Sequence, residues 1–121
     1  MHEPTGSLGR RERIRAKRDF TLLLRRGQRV RSGPLQLYMR PSDATHSRLG
    51  MAVSRRVGNA VRRNRIKRLV RAAFRVARHH CKAPLDLVVV VSPHEPAILG
   101  DYTEWLTEAI QKAQSGRERP A

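Results

Sequence analysis

Between Asp43 and Asp86 the chain has no acidic residue at all. That absence argues against a protein-borne metal site in this stretch, because divalent ions that assist hydrolysis are normally held by carboxylates. Cysteine is nearly missing as well: Cys81 stands alone, so no internal disulfide can form and a reducing compartment is the expected home. Phe, Trp and Tyr make up only 4% of the residues, which leaves few anchors for a lipid surface. No apolar run is long enough to span a membrane, and residues 1–30 contain no stretch of signal-peptide type. These absences predict a cytoplasmic protein with no membrane partner.

What the chain does have is positive charge. In 121 residues, 26 Lys and Arg oppose 10 Asp and Glu, for a net charge of +16 and a pI near 11.8. Residues 44–85 hold twelve of these cations: Arg48, ten within RRVGNAVRRNRIKRLVRAAFRVAR (55–78), and Lys82, with no acid in the interval to neutralise them. Self-repulsion of that density calls for a polyanion or abundant counterions, so nucleic acid is the expected partner. Only Lys17, Lys67, Lys82 and Lys112 are lysines. Arginine's planar fork suits phosphate contacts and base stacking, although a GC-rich genome would produce the same bias. The length and the 39% hydrophobic content fit one folded domain over residues 1–121 with a single modest core, and polar ends at 1–9 and 115–121 are expected to be flexible tails.

The pattern predicts a first helix over residues 17–26, with Asp19 at the positive end of its dipole, Phe20, Leu23 and Leu24 as a contact face, and Gly27 as C-cap. The basic stretch 10–18 extends this helix or remains an arm. Residues 35–40 alternate, with Leu35, Leu37 and Met39 on one face and Gln36, Tyr38 and Arg40 on the other. Residues 48–54 do the same, and Gly50, Ala52 and Ser54 are small enough to leave a groove beside Tyr38. Residues 85–91 are apolar on both faces and read as a central, doubly covered strand. A last helix opens at Asp101 and buries Tyr102, Trp105, Leu106, Ala109, Ile110 and Ala113.

The central helix follows Gly58, with Asn59 as N-cap. At 100° per residue, Ile66, Leu69, Val70, Ala73, Phe74, Val76 and Ala77 gather on one side. Asn64, Lys67, Arg68, Arg71, Arg75 and Arg78 gather on the other, with Arg65 at its edge. One face packs on a sheet and the other is a basic ridge. His79, His80 and Cys81 lie at the end of this helix, where adjacent residues diverge and no second ligand cluster exists, so a cationic helix end is expected and no metal site.

RLGMAVSRRVGNAVRRNRIKRLVRAAFR (48–75), with Arg63, Asn64 and Arg65 at its heart, resembles the signature of the bacterial ribonuclease P protein subunit. RDFTLLLRRGQRV (18–30), the Tyr38 strand and LVVVV (87–91) extend the resemblance over most of the chain. The resemblance implies an α+β two-layer sandwich of order αβββαβα, with a left-handed βαβ crossover through the Arg-Asn-Arg helix, against the usual right-handed rule. It implies an accessory subunit of an RNA-catalysed endonuclease, bound one-to-one to a catalytic RNA and assisting removal of the 5′ leader from precursor tRNA. The RNA would be bound by Arg55, Arg56, Arg62, Arg63, Asn64, Arg65, Lys67, Arg68, Arg71 and Arg75, and the leader by a cleft of Phe20, Leu24, Gln36, Tyr38, Arg40 and Ser54. No catalytic residue or cofactor is expected on the protein, and Mg²⁺ is expected in an RNA-borne active site. Three positions depart from the family pattern: Leu24 where many relatives carry a second aromatic, Ala72 where Glu is common, and Ser92 where a basic residue is frequent. Charge and size alone fit a ribosomal-type RNA-binding protein equally well, whereas no helix-turn-helix spacing supports a DNA-binding factor.

Overall fold

The computed structural model describes residues 9–115. Most of both expected tails lies outside the described residues. Helix α1 (Lys17–Arg26) leads into three strands, β1 (Gln28–Ser32), β2 (Leu35–Pro41) and β3 (Arg48–Val53). Helix α2 (Ala60–Ala77) then crosses to β4 (Leu85–Val91), and α3 (Leu99–Ser115) follows. This is the αβββαβα order that the resemblance implied.

The four strands lie in the order β1-β2-β4-β3. Strands β1/β2 and β2/β4 are antiparallel, whereas β3 and β4 run parallel and are joined through α2. β4 is therefore interior, which explains its unbroken apolar run. Its Leu87, Val89 and Val91 join Leu35, Leu37 and Met39 of β2 against Ile66, Val70 and Phe74 of α2 and Tyr102, Leu106 and Ile110 of α3. The opposite parity is lined differently: Val88 packs with Leu23 of α1 and Ile14, flanked by Phe20, Tyr38 and Val90. The main sandwich is thus the sheet against α2 and α3, while α1 rests on a much smaller apolar cluster across the second face.

Local chemistry sets the element ends. Asn59 Oδ1 accepts the Arg62 backbone N–H at 2.9 Å, the N-cap expected for α2. Gly27 closes α1 by donating to Leu23 O at 2.8 Å. α3 begins two residues before Asp101, whose carboxylate reaches back to the Ile98 N–H at 3.0 Å. Its last turn takes in Ser115, where the tail was expected to begin, and the preceding Gln114 amide bonds Lys82 N and His80 O at 2.8 and 3.0 Å. Val76, expected in the buried stripe of α2, is 52% exposed, and Ala72 is buried instead. α3 packs alongside α2 and turns the buried arc toward Ala72, Ala73 and Phe74. Gly33, at φ 56°, makes the β1–β2 turn, where a Cβ would lie 2.4 Å from Trp105 Nε1.

Candidate nucleic-acid interface

The ridge of α2 is built by one side of an amphipathic helix whose other side is locked into the core. Asn64, Arg65 and Arg68 are exposed along it, and Arg55 and Arg56 are exposed on the short turn that follows β3. Not every cation points outward. Arg62 donates through Nε to Val57 O at 3.2 Å and through Nη2 to His94 O, and Arg63 Nε donates to Gly58 O at 3.1 Å. These two residues brace the entry to the helix as well as charging it. Ser54 accepts the Arg56 N–H at 3.3 Å and so shapes the same turn.

No acid lies within residues 44–85, but the fold brings acids from outside the interval to two of its twelve cations. Arg78 pairs with Glu12, whose carboxyl burial pushes up but which Arg78, the Gly9 N–H and the Arg75 charge hold below its ordinary value. Arg48 is fastened to Asp86 by Nε at 2.9 Å and Nη2 at 2.7 Å. The neutralising acids come from segments remote in sequence, brought alongside by the β3–β4 pairing and by the N-terminal stretch.

β3 is an edge strand, and that N-terminal stretch runs beside it, with Ile14 N donating to Leu49 O at 2.9 Å and Arg13 bridging to Leu49. The basic stretch 10–18 divides: residues 10–12 form a short 3-10 turn, residues 13–16 are an arm beside the sheet, and Lys17 and Arg18 begin α1. Between arm, β3 and α2 lies a cleft of about 250 Å³. Arg13, Arg15, Lys67 and Arg71 line it together with Phe20, and no carboxylate does. Burial, then the neighbouring Arg13 and Arg68, lower the pKa of Arg71, as expected for cations crowded without an anion. Phe20 lies over Gly50, where a Cβ would meet its ring at 3.1 Å. Sequence reasoning missed Arg13 and Arg15; the Arg-Ile-Arg alternation centred on Ile14, which the fold buries, was the available signal.

Strand register orders the second face. One row across the sheet is Arg29, Tyr38, Val88 and Gly50, and the next is Arg31, Gln36, Val90 and Ala52. The row on the other side is Arg40, Asp86 and Arg48. Phe20, Gln36, Tyr38 and Arg40 thus share the α1 side of the sheet, with the half-exposed Leu24 one turn along α1 and Ser54 just beyond β3. Arg40 donates from Nε and Nη2 to Asp86 Oδ2, each at 3.3 Å, so it is held on the sheet. Arg29 and Arg31 are exposed on the same face and were missed because β1, with Val30 its single apolar residue, does not look like a strand.

His79 and His80 are exposed at the end of α2, and no trio of His, Cys, Asp or Glu able to hold a metal occurs among the described residues. Burial pushes the Cys81 thiol up, only partly offset by Ser47, which does not suit a nucleophile. No described helix is long and apolar enough to cross a membrane.

The family model for ribonuclease P matches residues 8–114. The chain is 42% identical over 105 residues to the ribonuclease P protein component of Shouchella clausii, covering 85% of this chain and 86% of that one. It is 42% identical over 84 residues to that of Desulfatibacillum aliphaticivorans, covering 69% and 71%. Among solved structures, the RNase P protein of Staphylococcus aureus superposes with a TM-score of 0.71 at 29% identity, covering 85% of this chain and 95% of that one. The protein from Thermotoga maritima gives 0.71 at 30% identity, covering 84% and 96%. Sequence match and shared architecture agree over the ridge, the sheet and α1 alike, and the chain belongs to the ribonuclease P protein family.

Proposed function

We propose that this chain is the accessory subunit of a ribonucleoprotein endonuclease: it binds a catalytic RNA one-to-one through the α2 ridge and guides the 5′ leader of precursor tRNA over the α1 side of the sheet. The observation that carries the reading is the cleft where Arg13, Arg15, Lys67 and Arg71 meet Phe20 with no carboxylate among them. Such a surface attracts phosphates and offers a ring for stacking, but it holds no ligands for a divalent ion. The RNA therefore supplies the metal ligands, with Mg²⁺ the expected ion, and the protein screens repulsion between two RNAs and orients the leader. Arg55, Arg56, Asn64, Arg65 and Arg68 offer contacts to the catalytic RNA, and Tyr38 and Gln36 form the leader's floor with Phe20 and Leu24 as its wall. The cytoplasm is the compartment for this task. A ribosomal-type role has no separate observation in its favour.

The test adds the chain to its RNA subunit and a precursor tRNA at low Mg²⁺. Correct 5′ cleavage is expected to accelerate, and affinity for the leader-bearing form is expected to exceed that for mature tRNA. Unchanged cleavage, or equal affinity for the two forms, refutes the reading.

A further inference from the structure

Arg40 and Arg48 flank β4 from β2 and β3, and both close on Asp86, which is 1% exposed. Asp86 takes Nε and Nη2 of each. A guanidinium carries five N–H groups. Each arginine therefore keeps outer N–H groups that Asp86 does not use, and the two side chains remain 32% and 23% exposed. Two further anions act on them: the exposed Asp43, whose charge reaches Arg48, and Asp19 of α1, whose carboxylate oxygens lie 3.7 Å from Arg40 Nη2 and 3.9 Å from Arg48 Nη2. At those distances the contact is one of charge, without a hydrogen bond. The inner carboxylate is buried and tightly held; the outer one is 31% exposed and loosely held. Two arginines and two aspartates sum to zero, and without Asp19 the group is one charge positive.

Asp19 also has another place to go. It is the third residue of α1, whose capping residue, Ala16, has no side chain to accept from the first backbone N–H groups of the helix. A carboxylate at that position can turn back onto those groups at the positive end of the helix dipole.

We infer that the outer edges of Arg40 and Arg48 form a binding site for an RNA phosphodiester, with Asp19 as its displaceable occupant. The inference rests on the RNA-binding reading above. A phosphodiester carries the same single charge as Asp19, and its two non-bridging oxygens can accept from both forks at once. Asp86 keeps the arginines aimed whichever anion is present, and exchange of one anion for the other leaves the group neutral.

The test uses the full-length chain and a fluorescent single-stranded RNA about ten nucleotides long, a length suited to one small domain. Asp19→Asn, which keeps size and can still cap the helix, is expected to tighten binding about three- to fivefold, the scale of one partly exposed charge contact. In an Arg40→Met background the same change is expected to alter affinity less than about 1.5-fold, because the two residues act on one site. Glu104→Gln, which removes an exposed carboxylate on α3, is likewise expected to stay under about 1.5-fold. Weaker binding by Asp19→Asn would make Asp19 a structural clasp and overturn the inference. An equal gain in the Arg40→Met background or from Glu104→Gln would reduce the effect to net charge and overturn it too. Repeating the comparison with the RNA subunit and with leader-bearing precursor tells which RNA supplies the phosphate: a gain with either supports the site, and a gain with neither sinks it. The cleavage assay on the parent chain tests the functional reading separately, so failure of one is distinguishable from failure of the other.

Discussion

Asp86→Asn removes the charge at the centre of the arginine group while leaving its volume almost unchanged. The native carboxylate receives two short bonds from Arg48, at 2.9 and 2.7 Å, and two longer ones from Arg40, both at 3.3 Å. An amide replaces one acceptor oxygen with an NH₂ that faces guanidinium donors, so at least one bond becomes a donor–donor clash. Breaking a buried ion pair from one side costs about 3–5 kcal/mol. Both arginines are partly exposed and can rehydrate, which places the expected loss near the lower bound, about 3 kcal/mol. For a domain of this size that corresponds to a melting temperature lower by roughly 10 °C. Burial pushes the Asp86 carboxyl up, but the hydrogen bonds from Arg48, Ser42 and Arg40 and the Arg48 charge outweigh it and hold the group below its ordinary value. A carboxyl depressed in the folded state stabilises fully above its unfolded value, about 3.9, and that contribution is lost as pH falls through the folded value. The stability gap between parent and variant is therefore expected to be constant from pH 7 to about pH 5 and to close in more acid solution. Denaturant unfolding followed by Trp105 fluorescence measures it. A gap below about 1 kcal/mol at pH 7, or one that persists undiminished in acid, would refute the reasoning.

Phe20→Ala or Tyr38→Ala is expected to weaken binding of leader-bearing precursor by about 1–3 kcal/mol, the worth of one base stack, and to leave mature tRNA unaffected; competition binding in the presence of the RNA subunit checks this. Arg65→Ala and Arg68→Ala, both on the exposed crest of α2, should each weaken RNA-subunit binding and reduce the slope of log affinity against log salt by about one, and parallel slopes for variant and parent would count against the ridge. Gly33→Ala is expected to lower stability by about 1–3 kcal/mol, because φ 56° is strained for alanine and Trp105 occupies the Cβ position; an unchanged melting temperature would contradict the turn geometry.

The elements that could be read from the chain are those whose period is local. α1 begins and ends where Asp19 and Gly27 suggested, Asn59 caps α2, and the doubly apolar β4 is interior. β1 was invisible for the opposite reason: Gln28–Ser32 becomes a strand through its pairing with β2 and shows almost no apolar alternation of its own. The arm at Arg13 and Arg15 was equally hidden, since its partner Leu49 lies far along the sequence. The motifs at 18–30, 48–75 and 87–91 carried the family, because an ordered match from the first helix to the central strand is hard to reproduce by composition alone.

By itself the sequence determined the one-signed surface and its division into an apolar stripe and a basic ridge, because helical period and charge are properties of neighbours in the chain. Only the tertiary structure decided which cations remain available. Asp86 and Glu12 neutralise Arg48 and Arg78, Arg62 and Arg63 turn back onto backbone carbonyls, and Lys67 and Arg71 meet Arg13 and Arg15 beside Phe20. Such partnerships depend on strand order and edge position, which bring together residues that no local pattern connects.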